Sequence, residues 1–337
     1  MDSSTLRVIK RLTLIATLFA LVVIALGAYT RLVHAGLGCP DWPTCYGHLW
    51  APDSVSEISS ANIAFPDAPV NLDKTWPEMT HRYLASSLGL LCLIIFLLGF
   101  KVKKTVSKFP FRHTVALLIL VIIQGLFGMW TVTLKLWPQV VTLHLLGGFS
   151  TFGLLLLLHL RLTQPIKPVK ETMIPKIRLL AFSVLVILFG QIMLGGWTSS
   201  NYAAMACLEL PLCSMAQLSS QDFVQGFNLL QQIGPNYLGG QLDGGARIAI
   251  HAMHRFGALA VLLLSLMLIT TLYQNRYVKL ALALATMLII QLLLGLSNVY
   301  FGLPLYNAVA HNIGGALLLA TMIVINFRLY QQRKKRA

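Results

Sequence analysis

Charge is scarce in this chain, and negative charge is scarcest. Only 11% of its 337 residues are Asp, Glu, Lys or Arg, and 11 acidic residues stand against 26 basic ones. With 56% hydrophobic residues and a mean hydropathy of +0.73, this scarcity excludes a soluble core and describes a polytopic membrane protein. Also missing is a basic stripe interleaved with aromatics. The net charge of +15 therefore reads as a solvated rim on one membrane face and not as a nucleic-acid surface. Nothing supplies closely spaced Cys and His ligands with a carboxylate at one level, as a zinc site requires. No small-residue cleavage site follows the first apolar segment, so that segment is expected as a retained helix.

Long apolar runs are what the chain has. Runs able to cross a hydrocarbon layer of about 30 Å fall at 13–32, 78–100, 113–134, 139–160, 178–198, 247–273, 279–300 and 306–327. Eight membrane helices are expected, four in each half. Lysine and arginine flanks stay in the cytoplasm, and a cytoplasmic N-terminus puts 20 of the 26 basic residues on the inner side, both termini included. Arg31, Lys74, Arg82, Lys135, Arg247 and Arg255 remain at the outer side. Each half has an even number of crossings, so both begin inside and the repeat is parallel, about an axis along the membrane normal. The expected fold is all-α: two parallel-repeat four-helix bundles, 1–165 and 166–337. Their junction is the inner loop QPIKPVKETMIPK, rich in Pro and Lys. Long outer loops at 33–77 and 199–246 follow the first helix of each half, while LKLWPQ and GLPLY are short enough for tight turns.

Self-similarity underlies that division. His81-Arg82 in MTHRYLASSLGLL and His254-Arg255 in AMHRFGALAVLLL are 173 positions apart, and His144 in VVTLHLLGG and His311 in AVAHNIGGA are 167 apart. Cys39 and Cys45 recur as Cys207 and Cys213, each displaced by 168. Each of the four histidines stands a turn or two inside the outer end of its apolar run. Two imidazoles on neighbouring helices at equal depth clamp an iron from opposite faces, with the porphyrin between the helices. A single intramembrane histidine is ordinarily explained by a bond to a backbone carbonyl; four at matching depths in a duplicate point instead to two haems. His81 with His144, and His254 with His311, are the candidate iron ligands, near the outer side of the membrane. His113 and His159 fall at inner helix ends and read as interfacial, and His34 and His48 belong to the first outer loop.

The halves differ at one position. Glu78 stands three residues before His81, but His251 stands three before His254, and this spacing puts either on the face of its ligand. A carboxylate beside one porphyrin only suggests that one site does chemistry. A second role also fits: Thr75-Trp-Pro-Glu78 has the form of a capping box with Pro77 in the first turn. The cysteine pairs lie in outer loops facing an oxidising compartment, so a disulfide is expected in each, as a loop lid or as a redox-active pair. Cys92 reads as an inert packing residue. Arg31 and Arg82 in the first half, and Arg247 and Arg255 in the second, lie where haem propionates would emerge and are the candidate partners for them. Strings around Gln124, Gln191 and Gln291 place glycines one turn after a glutamine, suited to close helix packing and equally to a flat macrocycle.

The string TRLVHAGLGCPDWPTCYG, the motif Glu78-Met-Thr-His81-Arg82, the paired histidines and the eight spans resemble the haem A synthase family, mitochondrial relatives included, over essentially the whole chain. The resemblance implies oxidation of a methyl substituent of haem O to a formyl group through an alcohol, supplying haem A to terminal oxidases. It implies substrate haem at His81 and His144, a resident haem b at His254 and His311, and a functional Glu78. Haem O synthase, an electron acceptor and the lipid bilayer are the partners implied, with a homo-oligomer in the bacterial inner membrane also compatible. Two other classes stay open on the residues alone. An electron-transfer cytochrome would use both haems as fixed wires, and a haem transporter would bind haem reversibly at one site.

Overall fold

The computed structural model describes residues 2–106, 108–164, 174–210, 213 and 218–331. Most of the expected inner linker lies outside the described residues, as do Lys167, Lys170, Arg333, Lys334, Lys335 and Arg336. Among the described residues there are ten helices and no strand: α1 (Asp2–Leu32), α2 (Val55–Ala64), α3 (Leu72–Val102), α4 (Phe111–Thr133), α5 (Pro138–Thr163), α6 (Ile174–Ser200), α7 (Ser220–Gly226), α8 (Gly244–Gln274), α9 (Val278–Tyr300) and α10 (Leu305–Gln331). Eight of them are long and apolar enough to cross a membrane, one for each expected run. In hydrocarbon no water satisfies the backbone, and a helix does so internally.

Helix α3 begins six residues before its apolar run. Asn71 caps it, its side chain accepting from the Asp73 N–H at 3.1 Å, so Pro77 falls inside the helix. The capping box expected at Thr75 to Glu78 is therefore corrected: Thr75 Oγ1 donates back to Asn71 O at 2.7 Å and Glu78 is buried. The outer loops are not featureless. Ser54 with Glu57 opens α2 and Ser219 with Asp222 opens α7, each as a true capping box. The Ser54 and Ser219 N–H groups hold these two carboxyls below their ordinary pKa.

Helices α1, α3, α4 and α5 pack in a closed cycle, each on the next and α5 back on α1. The same cycle runs through α6, α8, α9 and α10. The two sets meet where α1 touches α10, α5 touches α6 and α5 touches α10. That leaves α5 and α10 the most enclosed of the long helices. Their Leu155, Leu158, Leu318 and Met322 join Leu268 and Leu284 in one fully buried apolar cluster. Cys39–Cys45 and Cys207–Cys213 are disulfides, and Cys92 is a buried free thiol. His113, in the first turn of α4, is buried, with Arg161 Nη1 3.3 Å from its Nδ1. His159 joins α5 to α1 through Lys10 O and Thr13 Oγ1, both at 3.2 Å.

Candidate active site

The four histidines sit at four helix crossings with a common layout. A glycine on the neighbouring helix faces each ring. A Cβ on Gly27 would stand 2.9 Å from His81 Cε1, and one on Gly128 would stand 3.6 Å from His144 Cε1. On Gly195 it would stand 3.2 Å from His254 Cε1, and on Gly295 3.2 Å from His311 Cε1. At Gly27, Gly195 and Gly295 the missing side chain is what lets the imidazole fill that space, whereas at Gly128 a Cβ would be in ordinary contact with the ring.

His81 and His144 face each other with ring centroids 6.4 Å apart and planes at 88°. A histidine–metal bond is about 2 Å, so two axial imidazoles hold their ring centres roughly 6 Å apart. Both Nδ1 atoms are buried with no hydrogen-bond partner among the described residues. Ring separation and orphaned nitrogens together fit a bis-histidine haem site. In the other half, Gln191 Nε2 lies 3.1 Å from His254 Nδ1 and Gln291 Nε2 lies 3.3 Å from His311 Nδ1. Each amide also donates to the backbone oxygen of its histidine, at 2.8 and 3.1 Å.

Glu78 is buried beside His81, and both its oxygens accept. Oε2 takes the Cys39 N–H at 3.0 Å, and Oε1 takes Arg82 Nη2 at 2.5 Å. Arg82 Nη1 also donates to Asp41 O at 3.0 Å and Thr44 O at 2.7 Å. The disulfide loop, the arginine and the carboxylate thus form one unit. In the second half His251 stands at the position of Glu78, buried, its Nδ1 without a partner among the described residues.

The profile of cytochrome oxidase assembly proteins, COX15-CtaA, matches residues 10–323. The chain belongs to this family. It is 47% identical to the heme A synthase of Shewanella oneidensis, over 96% of each chain. It is 25% identical to the heme A synthase of Rickettsia prowazekii over 94% of this chain and 96% of that one, and 27% identical to that of Bacillus mycoides over 63% of each.

In this member of the family the four candidate propionate arginines are held by backbone carbonyls. Arg255 does for the second cysteine loop what Arg82 does for the first, donating to Cys207 O at 2.7 Å and to Glu209 O. Arg247 Nε donates to Leu242 O at 2.8 Å. Arg31 Nη2 donates to Ser199 O at 2.6 Å, and its guanidinium lies 4.0 Å over the Tyr202 ring. Tyr202 also stacks on His34. Burial first, then Arg31 and Lys74, lower the His34 pKa below its ordinary value.

Sequence reasoning missed the Cys39 amide as a partner of Glu78, and it missed Gly38, which makes that partnership possible. A Cβ on Gly38 would stand 2.5 Å from Lys74 O and 2.6 Å from Lys74 C, backbone that cannot swing aside. Gly38→Ala should therefore lift the loop off α3 and destabilise the protein by about 1–3 kcal/mol, the usual range for overpacking. Thermal unfolding in detergent measures this, and an unchanged midpoint would refute the close approach.

Proposed function

We propose that this chain is a membrane oxidoreductase that converts the methyl substituent of haem O into a formyl group through an alcohol, giving haem A for terminal oxidases. The first half, 1–165, holds the substrate between His81 and His144. The second half, 166–337, holds haem b between His254 and His311. The observation that carries this reading is the buried, doubly bonded Glu78 beside His81, where the second half has His251. A pair of fixed wires has no use for that asymmetry. Contacts between residues that the repeat relates, Arg31 with Ser199 and His34 with Tyr202, support two halves facing each other across a common axis.

If His81 and His144 both hold the iron of the substrate, dioxygen would have to displace one of them to bind it, which favours electron withdrawal: the methyl gives up an electron pair and protons and takes its oxygen from water, and the alcohol gives up a second pair and protons, with the electrons passing to the acceptor. Glu78 accepts a proton released at the methyl. Cys39 N–H and Arg82 fix where its oxygens stand. Haem b supplies a one-electron redox centre when bound. Its membrane is the bacterial inner membrane, and the concentration of Lys and Arg on one side supports cytoplasmic termini with the haem sites toward the outer face. Haem O synthase delivers the substrate, an electron acceptor takes the electrons, and self-association is compatible with the lipid-facing helices.

Pigment extraction from the purified protein tests the assignment. Haem O or haem A is expected together with haem b. Protohaem alone, from cells that make haem O, would overturn it in favour of a cytochrome.

A further inference from the structure

The His81 crossing breaks a pattern that the other three keep. At those three, a glutamine four residues before the facing glycine lies against a second glycine, three residues after the histidine. Gln124 fills the space that a Cβ on Gly147 would need, Gln191 does so at Gly257, and Gln291 at Gly314. At the His81 crossing the same two places hold Val23, four before Gly27, and Leu84, three after His81. Residues three and four apart share a helix face, so Val23 lies on the face of α1 that carries Gly27, and Leu84 on the face of α3 that carries His81. Val23 is buried in the main apolar cluster, and Leu84 packs against that cluster. Three crossings thus carry an amide over a bare glycine, and the fourth carries two branched apolar side chains.

The direction of these side chains matters. Helix α1 rises toward the outer side and α3 descends from it, so Val23 and Leu84 both lie one turn deeper than the contact of Gly27 with His81. A haem carries its propionates on one edge and hydrocarbon substituents on the opposite edge. With propionates at the outer mouth, the hydrocarbon edge points to the depth of Val23 and Leu84. Haem O bears there a long isoprenoid chain where protohaem bears a vinyl group. Pressing that chain against an amide leaves a buried polar group unpaired, at a cost, whereas valine and leucine gain from the contact.

We infer that Val23 and Leu84 form an apolar floor that makes the first half prefer haem O to protohaem, and that the glutamine–glycine floor is what the other crossings use instead. The inference rests on the first half being the substrate site. The double variant Val23→Gln, Leu84→Gly installs the common layout at His81. It is tested on the full-length protein carrying haem b, by optical titration with haem O and, separately, with protohaem. The ratio of the two affinities should fall roughly tenfold or more, the scale on which apolar pockets sense even one methylene. An unchanged ratio, or an equal loss for both haems, overturns the inference. The haem b spectrum of the second half reports whether the variant has folded; Leu84→Ala alone, which adds no polar group, should move the ratio the same way and carries the test if the double variant does not fold. A native protein without affinity for haem O would instead sink the substrate reading itself, which separates the two failures.

Discussion

Glu78→Gln should stop the conversion of haem O at the methyl or the alcohol, while haem remains bound in both halves. The substitution keeps the length of the side chain and removes its ability to accept a proton. General-base catalysis contributes about a hundredfold to ten-thousandfold, so haem A should fall to a trace. The two bonds to Glu78 add a second consequence. A carboxylate serves Cys39 N–H and Arg82 with separate oxygens, but an amide has only one accepting oxygen. One of the two donors then faces an NH₂ group, and the variant should lose about 1–3 kcal/mol of stability. Chromatography of extracted haems and a melting curve read the two effects separately. Normal haem A from a folded Glu78→Gln protein would remove the catalytic role and leave Glu78 as the clasp of the disulfide loop.

Much of this fold is legible because the membrane allows few solutions. Eight apolar runs became eight helices in the expected order, and the two expected cysteine pairs became two disulfides. Helix starts were less legible. The count of apolar residues put the start of α3 at Glu78, but Asn71 sets it through one side-chain bond, and a single polar cap leaves little trace in a hydropathy pattern. The role of Glu78 was half visible: its spacing from His81 gave the shared face, and nothing local gave Cys39 as partner, because that contact joins residues 39 positions apart. The arginines were half visible in the same way: charge marked them, and nothing local gave the backbone carbonyls to which they donate. Glycines one turn after Gln124, Gln191 and Gln291 were a visible signal whose object, the face of a histidine ring, needed the fold.

The second large effect is expected at the other pair. His254→Leu and His311→Leu should each abolish the low-spin, six-coordinate b-type spectrum of the second half and leave the first half able to take haem O. A leucine fills the volume and offers no lone pair, so the loss reports ligation and not collapse of the crossing. His311 is the only histidine on α10. His254 has His251 on the same face, buried and with its Nδ1 unpartnered among the described residues. That ring, however, stands three residues toward the outer end, about 4.5 Å along the helix axis at 1.5 Å per residue. An iron held level with His311 lies beyond its reach unless α8 slides by most of a turn, and the close approaches of Gly226 to Ala246 O and of Gln191 to Gly257, which the variant keeps, fix α8 against its neighbours. The double variant His251→Leu, His254→Leu should therefore look like His254→Leu alone. Optical and electron paramagnetic resonance spectra of the reduced and oxidised proteins decide. A full b-type spectrum in both single variants would sink the assignment of this pair, and a spectrum lost only in the double variant would move the ligand from His254 to a position shared with His251.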